Sequence, residues 1–247
     1  MSYREKTTIA GKIKDITKYH TFRNNSSKRP RNKNINTTAD SQAKNNERRA
    51  FEKLYYVISA NFHEDDLYLT CTYGKEREEP TPSEAKGILS KYIDKLRTQC
   101  KKAGTVLKYI AITEYKKGRI HHHLLINNIG MSIKNIKEFW KLGFMKIQVF
   151  AGEPEDCERL ASYFIKESNN TFNTVDKVHG LRWTSSKNLT HPAPVIKVVP
   201  ASSWREEIKP SKGYYIAIDK RGYTVDGYPY RFCRMIKIPN NDKRKVG

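Results

Sequence analysis

Two β-rich runs, Leu107–Tyr115 and Ile120–Asn127, flank Lys116-Lys117-Gly118-Arg119, and this hairpin constrains the chain more than any other feature. A short polar connection containing glycine, set between strand-forming runs, favours an antiparallel pair. The second run opens with His121-His122-His123. Side chains alternate along a strand, so His121 and His123 share one face with Leu125. Ile120, His122, Leu124 and Ile126 share the other, which is mostly apolar and is expected to face helices. A turn centred on Lys117-Gly118 sets Glu114 directly opposite His121 on the histidine face. A one-residue bulge in that turn would move Glu114 to the wrong face.

The elements around the hairpin follow from spacing and caps. Leu67, Leu69, Cys71 and Tyr73 alternate with Tyr68, Thr70 and Thr72, a strand pattern. Thr81-Pro82-Ser83-Glu84 is a capping box with proline at the first helical position. Apolar residues then recur at helical spacing from Ala85 to Cys100, and Gly104 ends the helix. Ser132 can cap a second helix running through Trp140, with Gly143 past its end. Phe144–Phe150 reads as another strand, and Pro154 starts a third helix to about Glu167. The order β-α-β-β-α-β-α predicts an α+β fold: a ferredoxin-like antiparallel sheet with helices on one face and the other free for a site. Val195–Val199, Tyr214–Ile218 and Tyr230–Ile238 read as strands of a β-rich C-terminal extension. The expected organisation is a basic, flexible arm over 1–49, a central domain over 50–170 and the extension over 171–247.

Charge narrows the partner. The chain holds 47 Lys+Arg against 26 Asp+Glu, a formal +21. Such an excess points to a polyanion, nucleic acid or an acidic membrane surface. The arm alone carries thirteen basic and four acidic residues, hence +9. No apolar run is long enough for a membrane helix, and the N-terminus lacks the apolar core of a signal peptide, so a cytoplasmic protein is expected. Cys71, Cys100, Cys157 and Cys233 are far apart and read as isolated thiols. No P-loop motif occurs, so no nucleotide cofactor is expected.

Two imidazoles at i, i+2 on a strand are spaced to chelate one metal ion, and a carboxylate opposite them adds a third ligand. Mixed oxygen and nitrogen ligands suit Mn²⁺ or Mg²⁺. On the third helix, Leu160, Ala161, Phe164 and Ile165 form the core face, while Tyr163 and Lys166 at i, i+3 can act on one object. Tyr163 is the candidate nucleophile and Lys166 its electrostatic helper. Arg119, Arg182, Trp183 and Lys187 are candidate strand-binding residues, cations beside a stacking surface.

With these motifs in place, the chain resembles the HUH endonucleases of the rolling-circle replication initiator class. Leu69-Thr70-Cys71-Thr72-Tyr73 looks like their first motif, His121-His122-His123 like their His-hydrophobe-His strand, and Tyr163-Phe164-Ile165-Lys166 like their Tyr-x-x-Lys. The order fits initiators better than conjugative relaxases, which usually place the tyrosine first. The resemblance covers about residues 65–170. His122 replaces the usual hydrophobe, which leaves open a frame using His122. A single tyrosine in the third motif favours the single-nucleophile type. The resemblance implies metal-dependent nicking and rejoining of single-stranded DNA at a replication origin, through a 5′-phosphotyrosine and a priming 3′-OH. It also implies a host helicase and polymerase as partners. A transposase or relaxase of the same superfamily, or a non-catalytic nucleic-acid-binding module, are the alternatives.

Overall fold

The structure, a computed structural model, describes residues 2–20, 39–114, 119–172, 182–205, 207–224 and 227–239. In chain order its elements are β1 (Ser2–Ala10), β2 (Ile13–His20), α1 (Ala39–Asn61), β3 (Asp66–Thr72), α2 (Pro82–Lys102), β4 (Tyr109–Glu114), β5 (His121–Ile126), α3 (Ile133–Glu138), β6 (Met145–Phe150), α4 (Pro154–Phe172), β7 (Thr184–Ser185), β8 (Val195–Pro200), β9 (Tyr214–Tyr223) and β10 (Pro229–Lys237). They form two units. One spans Glu47–Thr190; the other joins Met1–Asn46 to His191–Gly247.

The central unit carries the β-α-β-β-α-β-α order read from the sequence. Its strands lie in the order β6-β3-β5-β4-β7, all antiparallel. One sheet face presents Leu67, Leu69 and Cys71 with Ala111, Leu124 and Ile126, and packs on the apolar stripe of α2. That stripe, Ala85, Leu89, Tyr92, Ile93, Leu96 and Cys100, keeps helical spacing, and the Thr81–Glu84 capping box forms as expected. His122 belongs to this face. It is fully buried, hydrogen-bonded to the hydroxyls of Tyr73 (2.8 Å) and Thr113 (2.9 Å), and packed on Trp140. A frame that used His122 at the site is therefore excluded. The other face is not left free. α4 lies against it, its Phe164 ring beside that of Tyr68. The reason is apolar: Ile110, Ile112 and Leu125 point that way and are buried.

Gly143 does more than end a helix. Phe144 accepts from the Thr72 N–H and Leu142 from the Gly74 N–H, both at 2.9 Å, which presses residue 143 onto that backbone. A Cβ at 143 would lie 2.6 Å from the Gly74 nitrogen. Gly143→Ala must push the two segments apart, and we expect a loss of roughly 1–3 kcal/mol in urea unfolding. A variant as stable as the parent would show that the approach is not tight.

The second unit corrects the expectation of a flexible arm over 1–49. Residues 2–20 form the β1–β2 hairpin, turning at Gly11 with φ 55°. The rest of the expected arm, 21–38, lies outside the described residues, and Ala39 onward is α1. The hairpin sits inside a five-stranded antiparallel sheet, β8-β1-β2-β10-β9. β8, β9 and β10 are the three strands read for the C-terminal extension. Apolar content is a poor guide here because much of this sheet is tied by charge. Asp15 on β2 accepts two hydrogen bonds from Arg234 on β10, at 3.0 and 2.9 Å, and both residues are buried. The apolar core on this sheet is small: Ile16, Cys233 and Met235 with Ile208, Tyr214 and Ile216 against them.

Candidate functional site

The hairpin register is the one expected. Glu114 pairs with His121, Thr113 with His122 and Ile112 with His123. The turn residues 115–118 lie outside the described residues. On the neighbouring strand, Thr70 stands opposite His123 and Tyr68 opposite Gln148 of β6. Alternation thus gathers Glu114, His121, His123, Tyr68 and Thr70 on one face.

His123 is the hub. Its Nδ1 lies 2.9 Å from the Tyr68 hydroxyl and 3.3 Å from that of Thr70. Its Nε2 lies 3.0 Å from the Tyr163 hydroxyl and 3.5 Å from Oε2 of Glu114. Burial, and then the charge of His121, pull its pKa down to about 4. The ring is neutral at ordinary pH, so its approach to Glu114 is not an ion pair. The network suits the tautomer with the proton on Nδ1, donating toward Tyr68 and leaving the Nε2 lone pair toward Glu114 and Tyr163. The His121 ring centroid is 6.4 Å from that of His123.

The phenol of Tyr163 is held well above its ordinary pKa, first by burial, then by Tyr68, Glu114 and Glu167 and by a hydrogen bond with Glu114. Tyr68 is likewise pushed up to about 12, chiefly by burial. Two carboxylates beside a neutral imidazole make a site that favours a cation over a phenolate. Lys166 does not supply that charge. It is exposed, and no hydrogen bond or ion pair among the described residues ties it to the site. The helix instead turns Glu167 toward Tyr163, one turn on, and buries it. Sequence reasoning passed over Glu167 although i, i+4 spacing on α4 carried the signal. It also passed over Tyr68, whose strand alternation placed it with Thr70.

Among the described residues, no group of three His, Cys, Asp or Glu side chains is gathered as a metal site. The pair His123–Glu114 nonetheless fits one ion. Two ligand atoms each about 2.1 Å from a metal, at a near-tetrahedral angle, lie about 3.4 Å apart, and the observed separation is 3.5 Å. His123 also has the hydrogen-bonded second nitrogen that metal-binding imidazoles use.

The proposed strand-binding residues separate. Arg119 donates to the carbonyls of Gly74 and Arg77 and so fastens that loop. Arg182 and Trp183 are half-buried and precede β7, which pairs with β4, the strand that carries Glu114. Burial pulls the Arg182 pKa down. Lys187 is exposed.

No helix among the described residues is long and apolar enough to cross a membrane. No curated protein and no solved structure matches the chain. Residues 66–172, from β3 to the end of α4, do match a family model, that of the replication-associated proteins of the ORF2 type. This similarity takes in every residue of the site just described, points to a role in DNA replication with DNA as partner, and is consistent with nuclease activity.

Proposed function

We propose that the chain nicks and rejoins single-stranded DNA at a replication origin, initiating rolling-circle replication of a plasmid, phage or integrative element. In this reading the central unit is a ferredoxin-like, single-tyrosine HUH endonuclease domain acting in the cytoplasm. The observation that carries it is the convergence on one imidazole: Tyr163 of α4 and Glu114 of β4 both meet His123 Nε2, from elements far apart in sequence.

The Tyr163 oxygen attacks the scissile phosphorus, forming a Tyr–O–P bond to the 5′ side and breaking the bond to the 3′ oxygen. Its proton has an acceptor in Glu114, to which it is hydrogen-bonded, and the departing 3′ oxygen takes up a proton to become the priming hydroxyl. His123 is fixed by Tyr68 and Thr70, so the nucleophile is held in reach of a phosphate set against the same group. His123 and Glu114, with His121 as third ligand, would hold Mn²⁺ or Mg²⁺, which when bound supplies positive charge to the phosphate oxygens. Resealing reverses the exchange: a 3′-OH attacks the phosphotyrosine and Tyr163 leaves. The phosphodiester count is unchanged, so no nucleotide is consumed. Unwinding and synthesis fall to a host helicase and polymerase.

The test uses labelled single strands tiled across the DNA element that carries the gene, incubated with Mn²⁺ and run on a denaturing gel. One strand should give a covalent protein adduct that chelator prevents. Failure of every strand to give an adduct would overturn the nicking reading in favour of a non-catalytic binding module.

A further inference from the structure

The five-stranded sheet carries an arrangement that folding alone does not explain. Arg221, Arg231, Lys18, Glu5 and Lys197 stand opposite one another in turn across β9, β10, β2, β1 and β8. Three successive cations face each other directly, and like charges in that relation destabilise a sheet. Glu5 answers Lys18 at 3.5 Å. Asp219 answers both arginines: Arg231 reaches it through two hydrogen bonds, at 2.9 and 2.7 Å, and Arg221 at 3.3 Å. One carboxylate therefore serves two guanidiniums. Arg231 is 3% exposed, and its Nη1 is buried with no hydrogen-bond partner among the described residues. An unpaired buried donor on a charged group is costly.

Both arginines line a cavity of about 300 Å³ whose remaining walls include Trp204, Tyr223 and Tyr230. Tyr223 is 75% exposed, and the Arg221 side chain 62%. Tyr230 is fixed by lying across Gly222, where a Cβ would come 2.7 Å from its ring. Two residues along the strands from the cations, on the same face, stand Tyr223, His20 and Tyr3. Trp204 packs on Tyr3 with ring centroids 4.4 Å apart. A row of cations beside a row of aromatic rings, with a base-sized hollow at one end, is the chemistry that binds an unpaired strand. Phosphates meet the guanidiniums, and a base meets the rings.

We propose that this cavity is a second single-stranded DNA site, separate from the Tyr163 site, holding one unstacked base against Trp204, Tyr223 and Tyr230 and a flanking phosphate at Arg221. It goes beyond the nicking reading and does not depend on it. A phosphate there supplies the negative charge that the two guanidiniums share too thinly through Asp219.

Binding of a fluorescent oligo(dT) 12-mer to the intact chain, followed by polarisation at several salt concentrations, tests it. Arg221→Ala combined with Tyr223→Ala changes two exposed side chains, so folding is spared. We expect affinity to fall at least about tenfold and the salt slope to shrink by about 0.7, the share of one phosphate. Lys220→Ala, a cation on the opposite face of the same strand, should stay within about twofold of the parent. Equal loss in Lys220→Ala would mean diffuse charge attraction and would overturn the site, as would unchanged binding in the double variant. Oligo(rU) or duplex DNA bound as tightly, with the same dependence on the two side chains, would overturn the assignment to single-stranded DNA. At saturating strand the double variant should still form the covalent adduct. If no protein form gives an adduct while the binding loss appears, the nicking reading falls and this site stands.

Discussion

Tyr163→Phe is expected to reduce the covalent DNA adduct at least about 10³-fold, below detection on a denaturing gel, because the substitution removes the attacking oxygen and nothing else. The fold should survive it. The lost hydrogen bond to His123 is worth about 1 kcal/mol, and the ring keeps its packing, so urea unfolding should shift by no more than that. Tyr68 is the sharp control. Its hydroxyl touches the same imidazole on the opposite nitrogen, 2.9 Å from Nδ1, and it is the other phenol that could attack. Tyr68→Phe should slow adduct formation by loosening His123, while the adduct still maps to the peptide holding Tyr163. An adduct that persists in Tyr163→Phe and vanishes in Tyr68→Phe would reverse the assignment. Lys166→Ala should change the rate by less than either, because that lysine touches none of the described site residues.

The second large effect lies in the other unit. Asp15→Ala leaves Arg234 buried with its carboxylate partner gone, and breaking such a pair from one side costs about 3–5 kcal/mol. Against a total stability of about 5–15 kcal/mol for a typical domain, the N- and C-terminal sheet should lose most of its folded population in mild denaturant. Asp15→Leu with Arg234→Met removes both charges and should recover most of the loss, because an apolar pair of similar size is often neutral or stabilising. A loss below about 1 kcal/mol in the single variant, or no recovery in the double, would show that the pair is not what joins β2 to β10.

The hairpin was legible because two periodicities met there. The Lys117-Gly118 turn set the register, and strict alternation then fixed which two of the three histidines share a face with Glu114. The capping box at Thr81 was legible for the same local reason. The approach of α4 to the histidine face was not. The sequence showed an amphipathic helix with a tyrosine off its core stripe, but which sheet face it covers depends on Ile110, Ile112 and Leu125 being left bare by α2, a tertiary fact. Tyr163 and Lys166 group by i, i+3 spacing, yet the helix turns Glu167 inward and Lys166 outward. The β1–β2 hairpin escapes a reading by composition because its strands are rich in Lys and Thr, and only the Gly11 turn marks it. Its main anchor, Asp15 to Arg234, spans 219 residues, beyond any local pattern.

That span has a consequence for biogenesis. The chain between the two halves of this sheet is the whole central unit, Glu47–Thr190, which has every strand it needs before β8 is made. At roughly 5–20 residues per second, β2 waits about 10–45 s for β10 to be synthesised. Over that interval the hairpin has open edges on both sides. Arg4, Lys6, Lys12, Lys14 and Lys18 are then an asset, because a charged edge repels other chains that would pair with it. The basic residues that disguise these strands as a tail are thus suited to keep them single until their partner arrives.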